Sequence, residues 1–440
     1  MTAPDYDVVI AGARCAGATL ATFLARAGAR VLLLDKDRMP SDHVLTTHGI
    51  SPAGIDVLDE IGVGVALRAE TPAARVVRVH VDGVVVDIDF PHGRAEYCPR
   101  RARVDGLLQQ AAVAAGAEFR DRTRVTALIY DGDRVAGVRA SCGDTEQTFS
   151  AGLVVGADGR HSTIASLVQA GEYLGYDAQR AAYWGYWNAP AFWTTDPAYR
   201  FDMYFSYFGS ETGVIFPTDR GQLLLGSWPP AARAESWRAD PERALCAVLQ
   251  SEPIIGPLMA GARPDGPIRG TIRERFFFRN GAGPGWALVG DAGHHKDFVI
   301  GDGMTEALLQ AKTLAAAIGA GRDEALTCWW RARDVAALPW YFFGKESGRS
   351  GPLPRLTRVL IARMREDSEL RARMIEALDE RVSPLHRVSA ARVLWWTIAA
   401  GLRGQPQLFG ELVATLARGA GMYREYRRRR WLLAEATASG

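Results

Sequence analysis

Apolar runs separated by glycine-containing turns organise the beginning of the chain. The segment YDVVIAG, residues 6–12, predicts a buried strand, and RVLLLD, residues 30–35, predicts a second strand that ends in an acid. A helical pattern follows Gly17 and ends near Gly28. A strand, a helix and a second strand in this order predict a βαβ unit, in which both strands lie parallel in one sheet.

Four later segments extend this alternation of strands and helices. Residues 101–119 predict a helix, and residues 124–140 predict a hairpin with a Gly-Asp turn. Residues 152–165 predict a strand, a tight turn and the start of a helix. Residues 285–318 predict a buried strand, a loop and a long helix with one apolar stripe.

The pattern changes twice in the second half of the chain. From about residue 172 to 280, aromatic-rich stretches such as YWGYWNAPAFW and FDMYFSYF predict the strands of a separate sheet. Residues 345–440 predict several helices and show no strand signal.

Composition and charge limit the possible classes of protein. The chain has 440 residues, of which 48% are hydrophobic and 23% charged, and this suits a globular protein of two or three domains. The net charge of +2 does not indicate a nucleic-acid partner. Residues 345–440 carry 18 Lys/Arg and 10 Asp/Glu, so the C-terminal region is basic. Its RRRR run, residues 427–430, is expected to be a solvated helix face, with membrane-surface contact or an oligomer interface as the alternatives.

The cysteine spacing and the N-terminal residues help to predict the cellular compartment of the protein. None of the five cysteines forms a CxxC pair, which argues against a zinc ribbon and against a thioredoxin-type redox pair. The first strand begins by Tyr6, which leaves no room for a signal peptide, and no apolar run reaches membrane-spanning length. We therefore expect a cytoplasmic protein.

The turn after the first strand has the outline of a dinucleotide-binding loop. Residues 12–17 match the GxGxxG pattern except that Arg14 replaces the middle glycine. Asp35 lies 23 residues after Gly12, close to the spacing of a ribose-binding acid. Gly12 and Gly17 are also typical of an ordinary tight turn, and Asp35 of a local cap, so this motif alone is weak.

Two further segments change that judgement. They are GADGRHS, centred on Asp158, and GDAGHHKDFVIGDGM, centred on Asp291. The three segments in this order resemble the flavin domain of the para-hydroxybenzoate-hydroxylase-like (group A) FAD-dependent monooxygenases. They also resemble two related groups, the geranylgeranyl reductases and the flavin halogenases. The resemblance covers roughly residues 6–320.

The resemblance implies an α/β fold with three parts. The first is a Rossmann-like FAD-binding domain of the glutathione-reductase type, expected at residues 1–171 and 281–344. The second is an inserted mixed β-sheet domain that binds substrate, expected at residues 172–280, and the third is a C-terminal helical region at residues 345–440.

The expected FAD contacts follow from the three segments. The N–H groups that begin the helix after the turn would meet the pyrophosphate, and Asp35 and Asp291 would accept ribose and ribityl hydroxyls. The helix near Gly303 would aim its N–H groups at the flavin pyrimidine. The resemblance also implies that Arg101 touches FAD and that the backbone of Val125 contacts adenine; the alternatives are a solvated basic face and a core strand residue. The expected cofactor-binding residues are Gly12, Ala13, Arg14, Gly17, Asp35, Lys36, Arg101, Val125, Asp158, Gly290, Asp291, Gly303 and Met304.

Three positions depart from the family pattern. Arg14 is expected to lie beside the pyrophosphate or the flavin edge and to add positive charge. Ala165 stands where many relatives carry an arginine that helps to fix the flavin or nicotinamide, and Arg160 is the alternative source of that charge. Phe298 stands where relatives have proline, and it is expected to alter flavin mobility or to plug a cavity.

The aromatic residues of the second sheet are candidates for a substrate pocket, although a sheet core is expected for most of them. No catalytic residue is assigned. His294 and His295 are adjacent on an extended segment and so point opposite ways, and no metal site is predicted. His48 either approaches the flavin or begins a helix. The candidate substrate residues are Trp184, Tyr186, Tyr204, Tyr207, Phe216 and Phe298.

The resemblance implies an FAD-dependent monooxygenase of a small aromatic or polycyclic hydrophobic molecule. In such enzymes NAD(P)H reduces FAD, and a flavin C4a-hydroperoxide then hydroxylates or epoxidises the substrate. NAD(P)H would bind transiently, because no second dinucleotide fingerprint is present. The alternatives are a reductase of prenyl or polyene double bonds and a non-catalytic flavin-binding protein. Halogenation is disfavoured, because no lysine lies between Lys36 and Lys296. The oligomeric state stays open, with a homodimer as one option.

Overall fold

The computed structural model describes residues 3–41, 49–378 and 390–438, so His48 lies outside the described residues. Strands and helices alternate in the first third of the chain, and helices alone form its last part. The strands are β1 Tyr6–Ala11, β2 Val31–Leu34, β3 Ala73–Ala74, β4 Val76–Val81, β5 Val84–Asp89, β6 Glu96–Tyr97, β7 Glu118–Arg120, β8 Arg124–Asp131, β9 Arg134–Cys142, β10 Thr145–Gly156, β11 Glu172–Asp177, β12 Ala182–Asn188, β13 Met203–Phe208, β14 Glu211–Thr218, β15 Gln222–Ser227, β16 Arg269–Thr271, β17 Arg275–Arg279, β18 Ala282–Gly283, β19 Trp286–Leu288 and β20 His294–His295. The helices are α1 Cys15–Arg26, α2 Pro52–Glu60, α3 Gly64–Arg68, α4 Arg101–Ala114, α5 Thr163–Leu167, α6 Ala231–Trp237, α7 Pro241–Gln250, α8 Ile255–Leu258, α9 Gly303–Gly319, α10 Asp323–Ser347, α11 Arg355–Met364, α12 Ser368–Leu378, α13 Ala390–Leu402 and α14 Gln407–Ala438.

A largely parallel sheet forms the first layer, in the order β18-β19-β10-β1-β2-β7. Strand β1 pairs in parallel with β2 and with β10, and β10 pairs in parallel with β19. The predicted βαβ unit is therefore present, as β1, α1 and β2. The hairpin of β8 and β9 continues antiparallel from β10.

Alternation of side chains along β1 builds two cores on the two faces of this sheet. Val8 and Ile10 join the core that contains residues of α1, α4 and α9. Val9 and Ala11 join the opposite core, which contains residues of the β8–β9 hairpin. Because both faces are covered here, β2 is entirely apolar and so is the second half of β1.

A second sheet has seven strands in the order β16-β12-β15-β14-β13-β4-β5. The aromatic segment predicted as a separate sheet supplies five of them. The other two, β4 and β5, come from residues 76–89, and Met203 of β13 pairs in parallel with Val77 of β4. The expected boundaries placed this hairpin with the first layer, because its distant partner strand is not visible from its own sequence.

The two faces of the second sheet have different neighbours. Trp184, Tyr186 and Phe216 lie on a face that also packs against Ile361 and Met364 of α11. Tyr204 lies on the opposite face, with residues of α7 and α8. The C-terminal helices therefore cover one face of this sheet, and the expected boundary at residue 345 falls inside α10.

Candidate functional site

A cleft of about 510 Å³ lies at the carboxyl ends of the parallel strands. Its walls include Gly12 after β1, Asp35 after β2, Asp158 after β10 and Gly290 after β19. Ligands of open α/β sheets bind at this edge, because the loops that follow the strands converge there. The start of α9, at Gly303 and Met304, closes the other side of the cleft.

The turn before α1 is built for close approach of the backbone. Gly12 has a φ of +104°, and a Cβ added there would lie 2.3 Å from the carbonyl oxygen of Ala157. A Cβ at Gly17 would lie 1.8 Å from the carbonyl oxygen of Gly12. No side chain caps α1, so its first N–H groups face the cleft end of the turn without a side-chain acceptor.

Arg14 takes the place of the middle glycine without backbone strain. Its φ of −101° and ψ of −161° are extended values that any residue adopts. The guanidinium donates to Asp105 at 3.1 Å and to Ser41 at 2.7 Å, and it lies 3.6 Å from Asp37. The side chain is thus turned toward α4 and the β2 loop, and it still lines the cleft.

Arg14 shares its acidic partner with Arg101. The carboxylate of Asp105 is fully buried, and Arg101 donates to it at 3.1 Å. Gln109, one turn further along α4, donates to the carbonyl of Ala13 at 2.8 Å. The polar side of α4 therefore holds the glycine turn in place and puts two cations at the cleft.

Asp35 serves the turn as well as the cleft. Its carboxylate accepts the N–H of Ala13 at 2.8 Å and the N–H of Asp37 at 2.9 Å. Burial raises the pKa of Asp35, and these two N–H donors counteract the rise. Asp35 thus braces the turn through these N–H groups and lines the cleft at the position predicted for a ribose contact.

Asp158 begins the loop after β10 and caps α5. One carboxylate oxygen accepts the N–H of Thr163 at 2.7 Å. The other oxygen, Oδ1, is buried and has no hydrogen-bond partner among the described residues. Burial raises the pKa of Asp158. The Asp158 carboxylate therefore fixes the loop between β10 and α5.

A line of alternating charges runs from Asp291 to Arg160. His295 lies 3.3 Å from Asp291 and 3.6 Å from Glu274, and Arg160 lies 3.2 Å from Glu274. Burial disfavours the charged imidazolium of His295, but the two carboxylates outweigh it and raise its pKa to about 9. Desolvation would raise the pKa of Asp291, yet the positive charge of His295 lowers it. At neutral pH this wall therefore carries paired charges.

His294 points the other way, as predicted for adjacent residues on a strand. It contacts Asp334 at 3.0 Å and Glu306 at 3.2 Å. The buried Nζ of Lys296 lies 2.6 Å from Asp302 and 3.0 Å from Glu306. These ion pairs fix the first turn of α9, because Asp302 and Glu306 both belong to the start of that helix. Within the described residues, no group of three or more His, Cys, Asp or Glu side chains could hold a metal ion.

The start of α9 leaves room beside its backbone. A Cβ added at Gly303 would meet no atom within 4 Å, and no side chain caps the helix. A planar ring could thus lie against Gly303, and the partial positive charge of the helix end would face it.

A small apolar cavity adjoins the cleft on the side of the second sheet. Its volume is about 40 Å³, and Phe298, Gly301 and Asp302 line both this cavity and the cleft. Phe216 and Trp228 line it from the sheet. We call this space the sheet cavity. Phe298 is thus one of three residues that the two spaces share.

The structure divides the candidate substrate residues. Trp184 lines the cleft, and its buried indole N–H has no hydrogen-bond partner in the described part of the chain. The guanidinium carbon of Arg100 lies 4.1 Å from the ring centre of Tyr186. Tyr186 lines neither the cleft nor the sheet cavity. Tyr207 packs beside the same core without lining either space.

Tyr204, another candidate substrate residue, lies on the far face of the second sheet. It faces away from the cleft and donates to the buried Glu252 at 2.6 Å, beside His80 and Ser206. Its aromatic character and position in a strand resemble those of Phe216, but strand register places the two side chains on opposite faces of the sheet. Tyr204 therefore lines neither the cleft nor the sheet cavity.

The candidate cofactor residues mostly converge. Ala13 and Gly17 do not line the cleft; both are buried behind the turn and shape it. The sequence argument missed Asp105 and Glu274. A signal for Asp105 was available, because Arg101, Asp105 and Gln109 are spaced four residues apart and form a polar stripe on a helix. The remaining candidates all line the cleft, and they are Gly12, Arg14, Asp35, Lys36, Arg101, Val125, Asp158, Gly290, Asp291, Gly303 and Met304.

These features fit FAD. The glycine turn and the uncapped start of α1 suit a pyrophosphate, and the two arginines add positive charge. The open space at Gly303 suits a planar ring further along the cleft.

Comparison with known proteins gives the same indication. A family model described as an FAD binding domain matches residues 5–325. A 12-dehydrotetracycline 5-monooxygenase/anhydrotetracycline 6-monooxygenase of Streptomyces rimosus is 36% identical over 168 residues, which are 37% of this chain and 32% of that protein. The chain therefore matches about a third of the length of this relative.

Two further similarities cover more of the chain. A digeranylgeranylglycerophospholipid reductase of Methanosarcina acetivorans is 27% identical over 314 residues, which are 69% of this chain and 72% of that protein. The solved structure of the flavin-dependent brominase Bmp2 superposes with a TM-score of 0.73 at 19% identity and covers 91% of this chain and 100% of that one. At this identity the superposition shows the fold alone, and it confirms the predicted architecture.

Proposed function

The chain belongs to the FAD-binding-domain family of flavin-dependent oxidoreductases, and from this premise we propose that it is a monooxygenase of an aromatic or polycyclic hydrophobic small molecule. The family resemblance read from the three motif segments is confirmed by the match over residues 5–325. The reaction, the electron donor NAD(P)H and the substrate class are the proposal.

The observation that carries the proposal is the contact between the cofactor cleft and the sheet cavity. Phe298, Gly301 and Asp302 line both spaces, so a molecule held under the sheet would lie next to the start of α9. The sheet cavity is lined largely by apolar and aromatic side chains, such as Phe216 and Trp228. At about 40 Å³ the sheet cavity holds a few waters at most and is too small for a polycyclic substrate, so binding of such a substrate requires side chains such as Phe298 to move.

FAD supplies the redox chemistry when bound, since it accepts a hydride and lets the reduced enzyme use O2. The protein's own contribution is binding, orientation and exclusion of water. Arg14 and Arg101, which line the cleft, would hold the phosphates, and the start of α9 would favour negative charge on a ring bound beside it. Aromatic walls around the sheet cavity keep water from the reacting atoms.

The test is a flavin titration followed by oxygen measurements. The purified chain is titrated with FAD, and NADH and NADPH are then offered with and without a panel of aromatic and polycyclic compounds. We expect a bound-flavin spectrum, oxygen consumption stimulated by some compounds, and ¹⁸O from O2 in the product. Flavin binding with no incorporation of ¹⁸O from any compound would contradict the monooxygenase proposal.

A reductase of prenyl or polyene double bonds is the second candidate. The observation in its favour is the length of the match to the Methanosarcina reductase, which is about twice that to the tetracycline relative. The two functions are separated by an anaerobic assay with chemically reduced enzyme. Saturation of a double bond without oxygen supports the reductase, whereas a product that forms only with oxygen supports the monooxygenase.

A further inference from the structure

One face of α14 presents a continuous row of side chains to solvent. The members are spaced three or four residues apart, so they lie on a single side of the helix. They run from residue 409 to residue 431, which is roughly 33 Å at the rise of an α-helix. An adjacent side of the helix, with Leu408, Leu412 and Leu433, is buried against the protein. We call the exposed row the C-terminal stripe, and it consists of Phe409, Val413, Leu416, Ala420, Tyr423, Arg427 and Trp431.

Helix α13 adds apolar surface next to this stripe. Trp395 is 67% exposed, and Leu394 and Leu402 are exposed as well. A Cβ added at Gly401 would lie 2.6 Å from the ring of Phe409, so the two helices touch where the stripe begins. Contiguous exposed apolar surface of this kind is typical of an interaction site.

The charge around the stripe is positive and unbalanced. Both glutamates of α14 whose side chains are described are engaged, Glu411 with Arg355 and Glu425 with Arg429. Five arginines are exposed and form no ion pair with any described residue, and they are Arg403, Arg424, Arg427, Arg428 and Arg430. The partner that complements this surface must therefore carry negative charge.

We propose that the C-terminal stripe docks on an anionic lipid bilayer, with α14 lying along the membrane surface. Tryptophan and tyrosine prefer the headgroup region, and arginines beside them pair with anionic lipids. Among the described residues, no helix is long and apolar enough to cross a membrane. The docking is therefore peripheral.

A second copy of the chain fits the surface less well. In a parallel pairing through the stripe, the arginine clusters of both copies would meet. In an antiparallel pairing, Arg427 of one copy would face the apolar end of the other copy's stripe, near Phe409. The nearest described acid there is Glu411, and it already pairs with Arg355 of its own chain. Neither arrangement supplies a carboxylate for the five arginines.

The experiment is co-sedimentation of the full chain, purified with excess FAD, with lipid vesicles. Vesicles of phosphatidylcholine alone are compared with vesicles that contain one part phosphatidylglycerol to three parts phosphatidylcholine. We expect binding to the anionic vesicles, weaker binding at 0.5 M NaCl, and little binding to the neutral ones.

Two pairs of variants assign the binding to the stripe. Replacement of Arg424, Arg427, Arg428 and Arg430 by glutamine should lower the partition coefficient roughly 1,000-fold, at about 1 kcal/mol for each arginine. In the charge-matched control, glutamine replaces Arg139, Arg200, Arg243 and Arg263, which are exposed outside the C-terminal stripe. This control protein should bind the vesicles like the parent protein. Tyr423→Ser should weaken binding roughly tenfold, whereas Tyr130→Ser, at a tyrosine of nearly equal exposure, should not.

Sedimentation equilibrium of the same proteins gives the opposing outcome. A dimer that dissociates on Tyr423→Ser, without vesicle binding, would assign the stripe to a second copy and overturn the proposal. Equal binding to neutral and anionic vesicles would also overturn it, as would a monomer that binds neither. These readouts do not depend on enzymatic activity, so they stand apart from the proposed reaction.

Discussion

Asp297 is a buried acid whose charge works against the fold at neutral pH. Its side chain is almost fully buried next to the end of α10, where it accepts the N–H of Val299 and the hydroxyl of Tyr176, each at 3.1 Å. Burial raises its pKa from the ordinary 3.8 to about 6, although those two donors and nearby positive charges oppose the rise.

The sign of the effect follows from where the proton is held. The folded protein keeps the Asp297 proton up to about pH 6, whereas the unfolded chain loses it near pH 4. Stability is therefore greatest below pH 4 for this group and falls as the pH rises through 6. A rise of about two units corresponds to about 3 kcal/mol at pH 8.

Asp297→Asn removes this titration while it keeps the shape of the side chain. The amide oxygen can still accept one N–H, but the amide nitrogen replaces an acceptor, so part of the gain is offset. We expect the free energy of unfolding to rise by about 1–2 kcal/mol at pH 8. The gain at pH 8 should exceed the effect at pH 4.5 by about 2 kcal/mol.

The assay is urea unfolding of parent and variant at both pH values, followed by tryptophan fluorescence. Asp133→Asn, at an exposed carboxylate in a hairpin turn, is the control and should change neither value. The reasoning would be refuted by a variant that is destabilised at pH 8, or by equal changes at pH 4.5 and pH 8, because either result means that the buried charge carries no penalty.

Three further predictions concern the cleft. Gly12→Ala should abolish FAD binding in a spectroscopic titration, because the added Cβ would collide with the carbonyl of Ala157. The control is Gly28→Ala, at a glycine with a similar positive φ but no atom within 4 Å of an added Cβ; it should bind FAD normally and lose about 1 kcal/mol of stability. Normal FAD binding by Gly12→Ala would contradict this account of the turn. Arg14→Gly should weaken FAD binding about tenfold, and Arg14→Lys by less, and unchanged affinity in both would show that Arg14 serves only the contact with α4. If the proposed function is correct, Phe298→Ala should join the sheet cavity to the cleft and let water in. We then expect more NAD(P)H to be oxidised without product formation. An unchanged ratio of product formed to NAD(P)H oxidised would argue against a role for Phe298 in closing the cavity.

The local pattern of the chain was sufficient to predict the first layer of the structure. Apolar residues on both faces of β1 and β2 mark strands buried from two sides, and a glycine turn between strand and helix has few alternatives. The ends of β10 and β19 carry Asp158 and Asp291, and parallel pairing brings such strand ends to one edge. For this reason the candidate cofactor residues converge on one cleft.

Tertiary structure alone decided the features that depend on distant partners. Arg14 is oriented by Asp105, which is 91 residues away, and β4 enters the second sheet by pairing with β13, far along the chain. Tyr204 and Phe216 look alike in sequence, yet the register of their strands places them on opposite faces. Side-chain periodicity shows that a strand has two faces, but only the packing of the remaining elements determines which face meets the cleft, because that choice is made by contacts between residues far apart in the chain.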